Sequence, residues 1–218
     1  MRKRPDLYTN YKSESAIFST LTQKAWFTVL VFTSLLLPFY LNNYWMLLVT
    51  TSLLIAIASW GLNIVSGMAG QINLAHGVFV GIGAYTSAVI GGVATSSVIG
   101  FELDMIFWLP ISGIVSALIG IIISPVSARL KGLNLGLVTL AIVFIGSHFF
   151  SNLKFITGGA GLGRKAAKLK FLGVDLDSGL TIGNLILEKN DVIYYFSLIL
   201  CILLGLSLIH ISEPTRRP

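Results

Sequence analysis

Long apolar runs, separated by short polar connections, follow one another along this chain of 218 residues. A bilayer core about 30 Å thick needs about 20 consecutive apolar residues in helical form. The predicted fold class is therefore all-α, a polytopic bundle of transmembrane helices. About six spans are expected, at residues 25–41, 44–65, 78–98, 105–126, 133–152 and from 191 towards the C-terminus.

Composition agrees with a protein that is solvated mainly by lipid. Hydrophobic residues make up 55% of the chain and charged residues only 11%, whereas soluble globular proteins carry about 25% charged residues. The single cysteine, Cys201, stands in an apolar run. This leaves neither a disulfide framework nor a thiolate metal site, and it predicts a buried apolar thiol. We expect the chain to be surrounded by the lipid bilayer. We expect no metal site on it.

The net charge is +6. Several of the basic residues precede the first span, so we interpret them as signals for orientation in the membrane and expect no nucleic-acid partner. Basic residues beside a span favour the cytoplasmic side, which predicts a cytoplasmic N-terminal segment at residues 1–24. The same rule places the connection after the fourth span inside. The basic residues concerned are Arg2, Lys3, Arg4, Lys12, Lys24, Arg129 and Lys131.

The long connection at residues 153–190 conflicts with this rule. Five preceding spans place it outside, yet it carries basic residues that the rule favours inside. These are Lys154, Arg164, Lys165, Lys168 and Lys170. We keep the outer placement, because an odd number of crossings from a cytoplasmic N-terminus requires it.

The last residues do not continue the pattern of the spans. Residues 206–216, "LSLIHISEPTR", resemble the translation of a transposase sequencing adapter read in frame. We therefore predict a transmembrane domain at residues 25–205, incomplete at its C-terminal end, and a non-native tail at 206–218. Codons in the source read that differ from the adapter would contradict this.

Small residues recur at four-residue spacing within the predicted spans. In lipid, helices associate by close backbone approach, which small side chains permit. The spacing predicts that these helices pack closely with one another. The glycines predicted to lie at helix contacts are Gly77, Gly81, Gly83, Gly113, Gly120, Gly132 and Gly136.

One stretch, "SGMAGQINLAHGVFVGIGAY" at residues 66–85, is glycine-rich and polar where a span is due. It is not a P-loop, because no lysine stands between Lys24 and Lys131 to bind phosphate. The "GGAGLG" at 158–163 lacks the spacing of a dinucleotide fingerprint. No cofactor is expected on this chain.

The interiors of the predicted spans contain no Asp, Glu, Lys or Arg. Intramembrane catalysis and proton-coupled transport normally use such groups, so neither an enzyme nor a proton-coupled carrier is expected. His76 and His148 lie in different runs, and no carboxylate within the spans could orient either ring.

Neutral polar side chains surround two helix-weakening glycines in the glycine-rich stretch. Irregular backbone at membrane depth is tolerated where it is buried in protein or lines a watery cavity, and such breaks often form transporter substrate sites. A plain cytoplasmic turn between two spans fits the same pattern. The translocation-path candidates are Asn63, Gly67, Gly70, Gln71, Asn73 and His76.

Two blocks of sequence resemble the membrane subunits of branched-chain amino acid ABC importers. They are "GLNIVSGMAGQINLAHGVFVGIGAYTSAVI" at 61–90 and "RLKGLNLGLVTLAIVFIGSHFFSNLKFITGGAGLG" at 129–163. The "AGQ" at 69–71 is typical of the M-type subunit rather than the H-type. The chain up to residue 205 is similar to roughly the first two thirds of such a subunit.

The resemblance implies a pore-forming permease subunit of an ATP-driven importer in the bacterial inner membrane. It also implies the partners: a homologous H-type permease subunit, two cytoplasmic ATPase subunits and an extracytoplasmic substrate-binding protein. ATP hydrolysis would then take place on other chains. The segment that binds the ATPase would lie beyond this sequence.

Three other functions remain open at this point. Importers of urea and short-chain amides carry similar subunits, and a passive channel-like pore would use the same kind of bundle. A membrane-bound enzyme would need an acid–base pair inside the membrane. Neighbouring genes for ATPases, a sister permease and a binding protein would distinguish an importer from a channel.

Overall fold

The computed structural model describes residues 21–130, 132–159, 163–182 and 185–212. The predictions for residues 1–20, for Lys131 and for 213–218 lie outside the described residues. The chain divides into two compact units, residues 1–47 and residues 48–218, and the candidate site and its surroundings lie in the second.

Helices dominate the described residues and confirm the predicted all-α fold. They are α1 (Leu21–Tyr40), α2 (Asn43–Asn63), α3 (His76–Gly91), α4 (Met105–Arg129), α5 (Leu133–Asn152), the short α6 (Lys154–Thr157) and α7 (Lys189–Ser212). In the part of the chain that the structure describes, five helical segments are long and apolar enough to cross a membrane, at Leu21–Tyr40, Asn43–Met68, Met105–Arg129, Leu133–Asn152 and Lys189–Ile209. The chain is therefore a multi-pass membrane protein.

The long connection between α6 and α7 contains two small antiparallel hairpins that the sequence pattern did not predict. One pairs β1 (Lys170–Phe171) with β2 (Val174–Asp175), and the other pairs β3 (Leu180–Ile182) with β4 (Leu185–Leu187). A short 3₁₀ turn, Leu176–Ser178, separates the two hairpins. An ion pair of 2.8 Å between Lys189 Nζ and Asp177 Oδ1 joins this connection to the start of α7.

Helix α3 holds the centre of the second unit, since it packs along α4 and over a shorter stretch on α5. The residues buried at these contacts are small or medium-sized, among them Val78, Ala88 and Gly146. Large apolar side chains point outwards instead: Ile122 is 74% exposed and Phe144 68% exposed. This arrangement suits a bundle whose surroundings are hydrocarbon.

Helix α7 packs on α2 where a glycine leaves room for an aromatic ring. A Cβ added at Gly205 would lie 3.3 Å from the ring of Trp60. Cys201, about one turn earlier, is buried with a free thiol, which confirms the prediction for it.

The predicted third span, residues 78–98, was too long at its C-terminal end. Helix α3 ends at Gly91 and has 16 residues, which at 1.5 Å per residue gives about 24 Å, short of a full bilayer core. A segment of mixed polarity, residues 93–103, which we call the return segment, folds back over the helix end instead. It carries no charge before Glu102, so the hydropathy stays high beyond the point where the helix stops.

The return segment supplies hydrogen-bond donors to the last carbonyl groups of α3. The backbone N–H groups of Phe101, Glu102 and Leu103 donate to the carbonyls of Val89, Gly92 and Ile90, at 3.0, 3.2 and 2.9 Å respectively. These bonds satisfy acceptors that a helix end otherwise leaves unpaired. Gly100 permits the approach, because a Cβ there would meet the backbone of residues 92–94.

The glycines predicted at helix contacts fall into two groups. A Cβ added at Gly81 would lie 2.8 Å from the Phe150 ring, at Gly83 3.1 Å from Ser116 Oγ, at Gly120 3.9 Å from the Phe79 ring and at Gly136 3.6 Å from Ile72. Within the described residues, a Cβ at Gly77, Gly113 or Gly132 would meet no atom within 4 Å. For these three, the packing role stays a prediction.

Candidate functional site

Helix α2 widens into a π-helical turn, Ile64–Met68, before the chain leaves it. The Ala69 N–H donates to the Ile64 carbonyl at 3.1 Å, and the Gln71 N–H donates to the Val65 carbonyl at 3.2 Å. The Asn63 side chain lies over Gly67, where an added Cβ would collide with its amide group. A π-turn at a helix end is an uncommon arrangement that often accompanies a functional site.

Gly70 turns the chain away from α2. Its φ of +64° is in the left-handed region, which glycine adopts without steric penalty. A Cβ at this position would meet no atom within 4 Å among the described residues. The backbone, and not a neighbouring side chain, therefore demands glycine here. We call residues 69–75, between the π-turn and α3, the break.

Asn73 organises the last residues of the break before α3. Its Oδ1 accepts a hydrogen bond of 3.0 Å from the Ala75 N–H. Such Asx turns orient the chain ahead of a helix and use a donor that would otherwise be unpaired. Ala75 is almost fully buried, at 1% exposure, so the amide side chain fixes the point where α3 enters the bundle.

Helix α5 holds the break in place through Thr139. The Thr139 Oγ1 accepts a hydrogen bond of 3.2 Å from the Leu74 N–H and donates one of 2.9 Å to the Gly136 carbonyl. Gly136 is itself buried, and its surface lies against Ile72. These contacts tie the break, which lies between α2 and α3, to α5.

Sequence reasoning missed Thr139. A threonine three residues after a glycine within an apolar span was the available signal, because its hydroxyl can bond the preceding turn and still accept a second donor.

Replacing Thr139 by valine should destabilise the break. The variant keeps the shape of the side chain but leaves the partly buried Leu74 N–H without its acceptor, at a cost of about 1–3 kcal/mol. We expect a lower midpoint of thermal unfolding in detergent for Thr139→Val. Thr139→Ser retains the hydroxyl and should stay closer to the parent; equal midpoints for all three proteins would contradict this role.

His76 begins α3 with its ring against α2. A Cβ added at Gly61 of α2 would lie 3.4 Å from His76 Cε1 and 3.9 Å from Nε2. The Nε2 atom is buried and has no hydrogen-bond partner among the described residues. Most buried polar atoms in native proteins have a hydrogen-bond partner, so this nitrogen is an exception among the described residues.

The structure thus brings the six path candidates together over one helix end, the break and one helix start. Gln71, Asn73 and His76 are half-buried, and Asn63, Gly67 and Gly70 are exposed. Four of the six carry amide or imidazole side chains, and the backbone bends at Gly70 between them. Such a set can bind a polar solute by hydrogen bonds, and a contact of any of the six with a solute stays a prediction.

A family model described as the permease component of branched-chain amino acid transport systems matches residues 44–212. The match covers α2 to α7, including the break. It also includes residues 206–212, so the adapter origin of the tail stays a prediction.

Two relatives are the high-affinity branched-chain amino acid transport system permease proteins LivM of Escherichia coli and of Salmonella typhimurium. Each is 28% identical over 211 residues, which cover 92% of this chain and 48% of the relative. The chain spans about half the length of these curated relatives, and both agree with the M-type subunit that the sequence predicted. No solved structure matches the chain significantly. On the family match, the chain belongs to the family of branched-chain amino acid transport permease components.

Proposed function

We propose that the chain is a pore-forming permease subunit of an ATP-driven importer of branched-chain amino acids, and that the break borders its translocation path. The observation that carries the proposal is the break itself. Residues 69–75 leave helical geometry between α2 and α3, and Thr139 of α5 holds them. Non-helical backbone within a membrane domain is tolerated where it is enclosed by protein or lines a cavity, which supports a place for the break beside the path.

The orientation follows from the basic residues. The N-terminus and the break face the cytoplasm of a bacterial inner membrane, and the connection between α6 and α7 faces outwards. An H-type permease subunit completes the pore, two ATPase subunits drive it and an extracytoplasmic binding protein delivers the amino acid. Neutral polar groups suffice in the path, because ATP hydrolysis on the partner chains supplies the free energy of transport.

Leucine uptake into proteoliposomes tests this function. The subunit is reconstituted with its genetic neighbours, the sister permease, ATPases and binding protein, and labelled leucine is supplied with ATP or with a non-hydrolysable analogue. We expect uptake against a gradient with ATP only. Equal uptake under both conditions would identify a passive pore, and uptake of urea or amides in place of leucine would contradict the substrate class.

A further inference from the structure

An apolar groove runs along α3 between α4 and α5. Its volume is about 570 Å³, and it extends along α3 from Val78 to Val89, a rise of about 16 Å. Its walls include Ile82 and Ile119, and its far end is closed by Leu153, Ile156 and Thr157 at the turn α6. We call this the α3 groove.

The α3 groove opens towards the surroundings of the bundle. Ile145 and Phe149, which line it, are 55% and 53% exposed. Water does not fill such a space, because a cavity lined by aliphatic and aromatic side chains offers too few hydrogen-bond partners. The zwitterionic head of an amino acid would lose its solvation there for the same reason. Hydrocarbon is the occupant that the lining favours.

Basic residues stand at the closed end of the groove. Lys154 directly follows the lining residue Leu153, and its side chain is exposed. Arg164 donates a hydrogen bond of 2.6 Å from Nη1 to the carbonyl of Ile156, another lining residue. Lys165 follows Arg164 and is exposed. The chain segments at this end of the groove thus carry three cations, Lys154, Arg164 and Lys165, which we call the basic end.

The position of the basic end is fixed by the fold. A second bond of 2.7 Å joins Arg164 Nη2 to the Ile99 carbonyl in the return segment. Burial lowers the pKa of the Arg164 guanidinium from its ordinary value, and the two carbonyl acceptors offset part of that lost solvation. Among the described residues, neither Lys154 nor Lys165 forms an ion pair with a carboxylate, including Glu102 of the return segment and Asp104, which directly follows it.

We propose that the α3 groove and the basic end together bind an anionic phospholipid, with one acyl chain in the groove and the phosphate at Lys154 and Lys165. The lengths agree, because each leaflet of a core about 30 Å thick gives its acyl chains about 15 Å. The charges agree as well, since basic residues near a span attract anionic headgroups. This also accounts for basic residues on the side that the positive-inside rule disfavours.

Lipid retention by the purified chain tests the proposal. The chain is placed in nanodiscs that contain phosphatidylglycerol and phosphatidylcholine with identical acyl chains, then released into detergent, and the lipids that remain bound are measured by mass spectrometry. We expect selective retention of phosphatidylglycerol. Added inorganic phosphate should not displace it, because the acyl chain contributes to binding; displacement by phosphate would reduce the site to a simple anion site and overturn the proposal.

Two pairs of variants separate the parts of the site. The double variant Lys154→Gln and Lys165→Gln should lower phosphatidylglycerol retention about fivefold for each lysine removed. The control variant Lys24→Gln, near the start of α1, should leave retention unchanged. Ile119→Trp fills the groove and should lower retention of the lipid. Ile122→Trp adds the same ring on the 74%-exposed face of α4 and should leave retention unchanged.

Besides displacement by phosphate, three results would overturn the proposal. One is equal retention of both lipids, and another is unchanged retention in Ile119→Trp. The third is displacement of the lipid whenever another subunit of the transport system is bound, which would make the groove a docking site for an apolar helix. Thermal unfolding of each variant without lipid, matched to the parent, ensures that lost retention does not reflect lost folding.

Discussion

Gly146→Leu should prevent the second unit from forming its native bundle. Gly146 of α5 is buried against Val78 of α3, and a Cβ there would lie 2.5 and 3.0 Å from the two Val78 methyl carbons and 3.3 Å from Val78 Cβ. The last contact is close to the backbone, so a new Val78 rotamer cannot relieve the overlap. Overpacking of this kind costs about 3 kcal/mol. Size-exclusion chromatography and thermal unfolding in detergent should show a marked loss of folded protein.

Gly113→Leu provides the matched control. It makes the same substitution in a membrane-spanning helix, but an added Cβ at Gly113 meets no atom within 4 Å among the described residues. Leucine is also the better helix former by about 0.8 kcal/mol, so this variant should fold at least as well as the parent. Similar behaviour of the two variants would show that α3 and α5 do not pack as described.

The spans could be predicted because a bilayer imposes one length and one polarity on every helix that crosses it. The fifth span, Leu133–Asn152, has the predicted bounds, and α4 extends only as far as Arg129 beyond the predicted 126. The third span was predicted too long, because hydropathy does not show that the helix ends at Gly91 and Gly92. The return segment supplies the hydrogen bonds at that end. The donors that complete this helix end, such as the Phe101 N–H, lie several residues further along the chain. Their spacing from the carbonyl groups follows no regular sequence pattern.

The candidate site could be located from its glycines and amides, but the residues that hold it could not. Gly70 adopts the positive φ that a break between helices needs, and Asn73 has the side chain that favours a turn. Thr139 lies 65 residues from Leu74 along the chain, and Arg164 is equally far from Ile99. Long-range contacts of this kind depend on how the spans pack, which periodicity along one span does not encode.

Gly70→Leu should abolish most of the transport without unfolding the protein. The position has room for a side chain, but a bulky residue at a φ of +64° carries about 1–2 kcal/mol of backbone strain. Strain of that size, added to the barrier for movement of the break during transport, lowers the rate about tenfold. Gly70→Asn is the matched control, because asparagine tolerates the left-handed region, and it should retain most of the uptake.

Asn73 provides an independent pair at the same break. Asn73→Leu removes the acceptor for the Ala75 N–H, whereas Asn73→Asp keeps a side-chain oxygen at that position. Loss of a turn or capping bond of this type costs about 1 kcal/mol. Uptake should therefore fall in the leucine variant and be largely preserved in the aspartate variant.

The most direct test of the break as part of the path is ATP-dependent leucine uptake by the assembled transporter with each of these four variants. Expression and thermal unfolding midpoints are matched to the parent before uptake is compared. We expect Gly70→Leu to lose about nine tenths of the uptake, a tenfold change in rate, and Asn73→Leu about four fifths, the roughly fivefold change that 1 kcal/mol gives. Gly70→Asn and Asn73→Asp should stay near the parent. Uptake at the level of the parent in Gly70→Leu and Asn73→Leu would show that residues 69–75 are only a turn between two spans.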